Sequence, residues 1–351
     1  MLTALRQSEL LHGRARAFVA AFLEQRAMPE PFDALACDLA RFQAQHIDGY
    51  ARLCQRRHVV LAALCRAGDA PAVPTDAFKV ARVAAFPRSL TQATFLTSGT
   101  TVGTRGTHEL RDLGTYDAGA VAFGHACLLP GSLSRVPILI LGPSEEEAPE
   151  SSLTHMLALF AREFGDSTGS PFFVREALFD LQALRQRIQS LGPTEPALLL
   201  GTSLAFADVL DAMGGERWGL PRFSRAMQTG GFKGRSREVA PEVLRAQIAE
   251  GFVLEVEHVV CEYGMTELSS QFYEGGRGVY VEPPWARVIP VDPETLLPVA
   301  DGTVGLARIE DLLNVDSAFA VLTSDRVRRV PGGFELLGRL EGAPARGCSL
   351  A

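Results

Sequence analysis

Two short apolar runs, Pro137–Gly142 (PILILG) and Ala197–Gly201 (ALLLG), constrain the fold of this chain more than any other feature. A run that is apolar at every position, rather than at alternate ones, belongs to a strand buried on both faces. That is the situation of a parallel strand covered by helices on either side. Segments of helical periodicity, Glu176–Leu191 and Pro241–Glu250, accompany these runs. Strands alternating with helices predict an α/β core built on a largely parallel sheet.

The flanks differ from this core. Residues 1 to about 70 are rich in Ala, Leu, Arg and Gln, with apolar residues at helical spacing (Phe18 and Phe22, then Leu35, Leu39 and Phe42), which predicts a helical N-terminal segment. Pro71 and Pro74 break that pattern, and a mixed α/β domain is expected to span residues 71–340. From about Val279 onward, short β segments (Ala286–Val291, Gly305–Ile309, Phe319–Leu322 and Phe334–Leu337) separated by Pro, Gly and Asp turns predict a small antiparallel subregion. The acidic run Glu145–Glu147 reads as a solvated loop, and residues 341–351 as a tail.

Composition narrows the function classes. At 47% hydrophobic residues in 351, the chain has ample material for a large core. A net charge of −7 disfavours general affinity for nucleic acid or an anionic membrane, so an anionic ligand must be captured locally. No apolar run approaches the roughly 18 residues needed to span a bilayer. Met1–Arg16 lacks the apolar core of a secretory signal, and a cytoplasmic protein without membrane insertion is expected. Cys37, Cys54, Cys65, Cys127, Cys261 and Cys348 form no CxxC pair, and the seven histidines show no metal-ligand spacing, so neither a disulfide framework nor a zinc site is expected.

The segment most suggestive of chemistry is Phe95 to Thr107, in which hydroxyl and glycine residues alternate: Thr97, Ser98, Gly99, Thr100, Thr101, Val102, Gly103, Thr104, Arg105, Gly106. Glycines let the backbone approach an anion with its N–H groups turned inward, and hydroxyls add neutral donors, so the loop suits a polyphosphate, with Arg105 as an added charge. It is neither a Gly-Lys-Ser/Thr nucleotide loop nor a GxGxxG turn. Taken alone, it reads equally well as a flexible linker.

Further motifs follow in order: Thr229-Gly230-Gly231-Phe232-Lys233-Gly234-Arg235, Glu262-Tyr263-Gly264-Met265-Thr266-Glu267, Thr323-Ser324-Asp325, Gly338-Arg339 and Ala345-Arg346-Gly347-Cys348. With the loop at 97–106, they resemble the motif series of the adenylate-forming (ANL) superfamily. Within it, together with Val73–Lys79 and Ser151–Leu153, they resemble the acyl-protein synthetase (LuxE) family and, more distantly, phenylacetate-CoA ligases. The likeness covers roughly Pro74 to Ala351.

The resemblance implies the large N-terminal-type domain of adenylate-forming enzymes, with mixed β-sheets flanked by helices. It also implies that the mobile C-terminal domain is lacking, since only 12 residues follow Arg339 (351 − 339). It implies ATP and Mg2+ as cofactors. Thr97, Ser98, Gly99, Thr100, Thr101 and Gly103 would hold the phosphates. Tyr263 would stack on adenine, with Gly264 beside it in the nucleotide site; Thr266 would hydrogen-bond the α-phosphate and Glu267 would hold the metal, while Asp325 would bind the ribose hydroxyls and Arg339 ribose or phosphate. Gly230, Gly231, Phe232 and Lys233 would wall the acyl pocket, although the same residues also read as a surface turn. Lys233 and Arg235 are candidates to replace the lysine of the missing domain.

In the resembled family a C-terminal cysteine accepts the acyl group, and Cys348, beside Arg346 and Gly347, stands in that place. The expected function is therefore activation of a carboxylic acid, a fatty acid by family default, to acyl-AMP. Transfer to a thiol and delivery to an acyl-CoA reductase-like or carrier-protein partner would follow. Two alternatives stay open: direct ligation to coenzyme A or a carrier protein, and a non-catalytic nucleotide-binding subunit.

Overall fold

The two apolar runs form adjacent parallel strands, with Leu139 opposite Leu199 and Ile140 opposite Leu200. The structure is a computed structural model and describes residues 2–97, 105–129, 131, 133–166, 168–230, 239–275 and 278–340. The described helices are α1 (Leu2–Leu23), α2 (Phe32–His46), α3 (Asp48–Arg56), α4 (Ala77–Val80), α5 (Leu113–Leu128), α6 (Ser152–Phe164), α7 (Leu181–Gln189), α8 (Ser203–Met213) and α9 (Pro241–Phe252). Strands β1 to β6 are Val73–Pro74, Ala93–Leu96, Thr107–Leu110, Ile138–Leu141, Val174–Arg175 and Leu178–Phe179. Strands β7 to β11 are Leu198–Thr202, Arg225–Thr229, Val259–Tyr263, Phe272–Glu274 and Val279–Val281. Strands β12 to β15 are Ala286–Val291, Val304–Asp311, Ala320–Val330 and Gly333–Arg339.

One mixed sheet runs in the order β12-β13-β14-β15-β11-β10-β9-β8-β7-β4, with β1 added in parallel to β14. Its β4, β7, β8 and β9 portion is parallel. The expected antiparallel subregion is present, and it continues the parallel sheet rather than standing apart, because β10 pairs with β9 in antiparallel fashion and turns the direction over. Alternate residues of the central strands feed two cores. Ile138, Ile140, Leu198, Leu200 and Val260 pack with Phe123 of α5 and Phe160 of α6. Leu139, Leu141, Leu199 and Val259 pack with Leu184 of α7, Phe206 of α8 and Ile248 of α9. This two-sided burial is the physical reason the runs are apolar throughout.

Helices α1 and α2 send Leu11, Phe18, Leu35, Leu39 and Phe42 into the first of these cores, beside Phe319 and Val321. A buried carboxylate fastens α1: Asp316 accepts from Ser8 Oγ at 2.5 Å, lies 3.0 Å from His12 Nε2 and pairs with Arg111 Nε at 2.9 Å.

One expectation needs correction. The helix expected over Glu176–Leu191 begins only at Leu181. Glu176 and Ala177 adopt left-handed φ of 49° and 62° in the turn between β5 and β6, and Asp180 caps the helix by accepting from the Ala183 N–H at 2.9 Å. The Glu145–Glu147 run forms a turn at the surface, as expected, where Glu145 binds His155 Nδ1 at 2.9 Å and Arg162 at 2.5 Å, and Glu147 accepts from the Glu176 N–H at 2.9 Å.

Candidate active site

The parallel strands β7, β8 and β9 end side by side, and ligands of open α/β sheets bind beyond such carboxyl ends. Thr229, the last residue of β8, stands opposite Glu262 of β9, and Tyr263 closes β9. Tyr263 also pairs with Phe272 of β10, so residues 264–271, which include Gly264, Thr266 and Glu267, form the loop of a hairpin across the strand ends.

Sequence-distant candidates meet here. The Tyr263 hydroxyl donates to Asp325 Oδ2 at 2.9 Å, and Asp325 Oδ1 lies 3.1 Å from Arg339 Nε. Asp325 and Arg339 are direct neighbours across β14 and β15, so strand register sets this pair. The Asp325 N–H donates to Thr323 Oγ1 at 2.9 Å, which gives the Thr-x-Asp spacing a structural meaning. Val73–Pro74 pairs with Val321–Leu322 just before that element, and the Thr75 N–H continues the ladder to the Leu322 carbonyl at 3.0 Å. Tyr263 is 8% exposed, with its ring about 6 Å from Phe272 and Phe334.

The phosphate-loop candidate is the loop of a second hairpin, β2–β3. Thr97 closes its base, its N–H donating to the Gly106 carbonyl at 2.9 Å and its Oγ1 accepting the Gly106 N–H at 2.7 Å. A Cβ at Gly106 would lie 3.0 Å from Thr97 Cγ2, a tight contact that the glycine avoids. Arg105, expected as an anion contact, donates to the Thr97 carbonyl at 2.8 Å and lies 3.4 Å from Glu150. Ser98, Gly99, Thr100, Thr101 and Gly103 lie outside the described residues, as do Gly231, Phe232, Lys233, Arg235 and Cys348. Gly230 follows Thr229 with a left-handed φ of 74°, and its carbonyl accepts from Ser203 Oγ at 2.9 Å.

The 264–271 loop is held from beneath. Asn314 Nδ2 donates to the Glu267 carbonyl at 2.9 Å, while Asp311 accepts from the Ser269 N–H at 2.9 Å and from Ser270 Oγ at 2.7 Å. Burial pushes the Asp311 carboxyl up to about 6. Glu267 is itself 1% exposed. His108 of β3 reaches across to the Thr266 carbonyl at 2.7 Å and joins the two hairpins. Burial drives the His108 imidazole down to about 4. Burial likewise pushes Glu262 up to about 7, although the Thr229 hydroxyl donates to it. Sequence reasoning assigned no role to His108, Glu262, Asp311 or Asn314. Glu262 carried a signal in its place beside Tyr263, whereas the other three are neighbours of the loop through tertiary structure alone.

Among the described residues no group of three or more His, Cys, Asp or Glu side chains is arranged to hold a metal ion, and no helix is long and apolar enough to cross a membrane.

The fold matches the adenylate-forming enzyme domain of two solved proteins. The chain superposes on 2-hydroxyisobutyryl-CoA ligase in complex with 2-HIB-AMP with a TM-score of 0.64 at 12% identity, over 88% of this chain and 68% of that one. It superposes on ATP-bound MatB from Rhodopseudomonas palustris with a TM-score of 0.51 at 16% identity, over 73% of this chain and 49% of that one. It therefore spans about half the length of MatB, and at these identities the likeness is one of fold. The chain belongs to the acyl-protein synthetase (LuxE) family, whose pattern it matches over residues 24–351. A long-chain-fatty-acid–luciferin-component ligase of Aliivibrio fischeri is 23% identical over 340 residues, covering 91% of this chain and 87% of the relative.

Proposed function

We propose that this chain uses ATP to convert a carboxylic acid to an acyl-adenylate, with release of pyrophosphate, and then passes the acyl group to a thiol. The observation that carries the reading is the convergence of Tyr263, Asp325 and Arg339 beside the Thr266–Glu267 loop at the parallel strand ends. A carboxylate needs no general base to attack phosphorus, so the protein's work is to place the two reactants and to offset the developing charge.

Each group has chemistry suited to such a task. Tyr263 offers a ring held among aromatics and would stack on adenine. The Asp325 carboxylate has about four acceptor sites, enough to keep Tyr263 and Arg339 and still accept from ribose hydroxyls. Thr266 would bond the α-phosphate. Glu267 supplies an oxygen donor of the kind Mg2+ takes, and that ion commonly uses one or two carboxylates, with phosphate oxygens and water completing its shell. Mg2+ bound there would neutralise phosphate charge. The loop 98–104, rich in glycine and hydroxyls, would hold the β- and γ-phosphates.

A fatty acid is the substrate suggested by the relative from Aliivibrio fischeri, through its name. Cys348 is the proposed acyl acceptor, and an acyl reductase the proposed recipient. The test is ATP–pyrophosphate exchange with a panel of carboxylic acids, followed by intact-protein mass spectrometry. Cys348→Ser is expected to retain exchange and to lose a hydroxylamine-labile acyl adduct. An adduct that persists in this variant, on another residue, would remove Cys348 from the reaction. Exchange with no adduct on the unaltered protein would point to an external thiol, the chemistry of the coenzyme A ligase that shares the fold.

A further inference from the structure

We propose that His108 is a positioning residue for adenylation: its Nδ1–H grips the Thr266 carbonyl and fixes the Thr266–Glu267 loop relative to the hairpin carrying Thr97. The inference rests on the adenylation reading above.

Three observations carry it. First, the bond joins the two segments whose relative placement governs that chemistry. His108 lies on β3 opposite Phe95, two positions before Thr97 on the paired strand, and its Nδ1 is 2.7 Å from the Thr266 carbonyl. Second, the partner settles the tautomer. A carbonyl can only accept, so Nδ1 carries the proton and Nε2 carries a lone pair. Burial holds the ring neutral at pH 7, which makes it a poor base and a steady donor.

Third, Nε2 is buried and finds no hydrogen-bond partner among the described residues, while the residue as a whole is 1% exposed. A Leu or Phe at this position, beside the Phe78 ring 5.8 Å away, would fill the space without burying an unpartnered ring nitrogen, but it would take the donor from the Thr266 carbonyl. The fold tolerates the stranded nitrogen for the sake of the other one. The downstream end of the same loop is already held by Asn314 and Asp311 from β13 and the turn after it. His108 adds a tether from the phosphate-loop side, so the loop is clamped between two elements far apart in sequence.

The test compares His108→Asn, His108→Gln and His108→Ala. An Asn amide nitrogen falls near the place of imidazole Nδ1, whereas a Gln amide reaches toward that of Nε2. Displacing reacting groups by about 1 Å costs on the order of 100-fold in rate. The Ala and Gln variants are therefore expected to lose about 10- to 100-fold in kcat of ATP–pyrophosphate exchange with little change in KM for the acid. The Asn variant should recover most of that rate although, being smaller than the ring, it melts at a lower temperature than the unaltered protein. Rates that follow melting temperature across the three variants, or Gln and Asn variants of equal activity, would overturn the proposal. If the unaltered protein shows no exchange with any acid, the adenylation reading fails by itself. Backbone hydrogen exchange of residues 264–268 then decides the tether: faster in the Ala and Gln variants than in Asn supports it, and equal rates in all three refute it.

Discussion

Replacing Glu262 by Gln should change how stability depends on pH, by an amount the structure permits us to work out. Glu262 is 6% exposed, and its carboxyl accepts from the Thr229 hydroxyl, with no cation paired to it among the described residues. Burial raises it to about 7, against 4.5 when solvated. Between those values the folded protein holds a proton that the unfolded chain has released, so stability falls as pH rises through this window. The difference of 2.5 (7 − 4.5), at about 1.4 kcal/mol per pH unit, gives about 3 kcal/mol lost by the time pH exceeds 7.

Asp311 and Glu310 are raised by burial too and slope in the same direction, so the unaltered protein alone cannot isolate Glu262. The difference between it and Glu262→Gln can, because Gln keeps the acceptor for Thr229 and carries no charge. Urea unfolding at pH 5, 6, 7 and 8 should show the variant's relative stability growing by about 2–3 kcal/mol across the series, with most of the gain below pH 7.5. Parallel curves would mean that Glu262 is ionised and well solvated in the folded protein, and the argument would fail.

Other expectations concern the same strand ends. Tyr263→Phe removes the buried bond to Asp325 and should cost about 1 kcal/mol in thermal or urea unfolding, while raising KM for ATP more than KM for the acid. Gly264→Ala would place a Cβ 2.5 Å from Glu262 Oε1, so it should displace that carboxyl or the loop. A loss of about 1–3 kcal/mol is expected. Exchange activity should fall with it, and both are readable from urea unfolding and pyrophosphate exchange on one preparation.

Much of this protein is legible in the chain itself. Apolar residues at every position of 137–142 and 197–201 dictate two-sided burial and hence a parallel core, and that inference needs no partner in view. The helix beginning at Pro241 and the strand Ala286–Val291 carry their period locally, and both form where that period puts them. The segment 176–180 departs from the expected helix because left-handed Glu176 and Ala177 turn the chain back as a hairpin before Asp180 starts the helix. The motif residues Tyr263, Thr266, Glu267, Asp325 and Arg339 could be named from residue type and order.

What only the tertiary structure decided is which groups share one environment. Asp325 faces Arg339 because of register between β14 and β15, and it meets Tyr263 because β9 ends beside them, relations that span 62 residues of chain for the second pair. His108, an unremarkable residue in a strand, acquires its donor role because one ring nitrogen finds the Thr266 carbonyl 158 residues away. The shifted carboxyls of Glu262 and Asp311 have the same origin: a carboxyl's affinity for its proton depends on the water that folding removes and the donors that folding brings, and neither is a property of sequence neighbours.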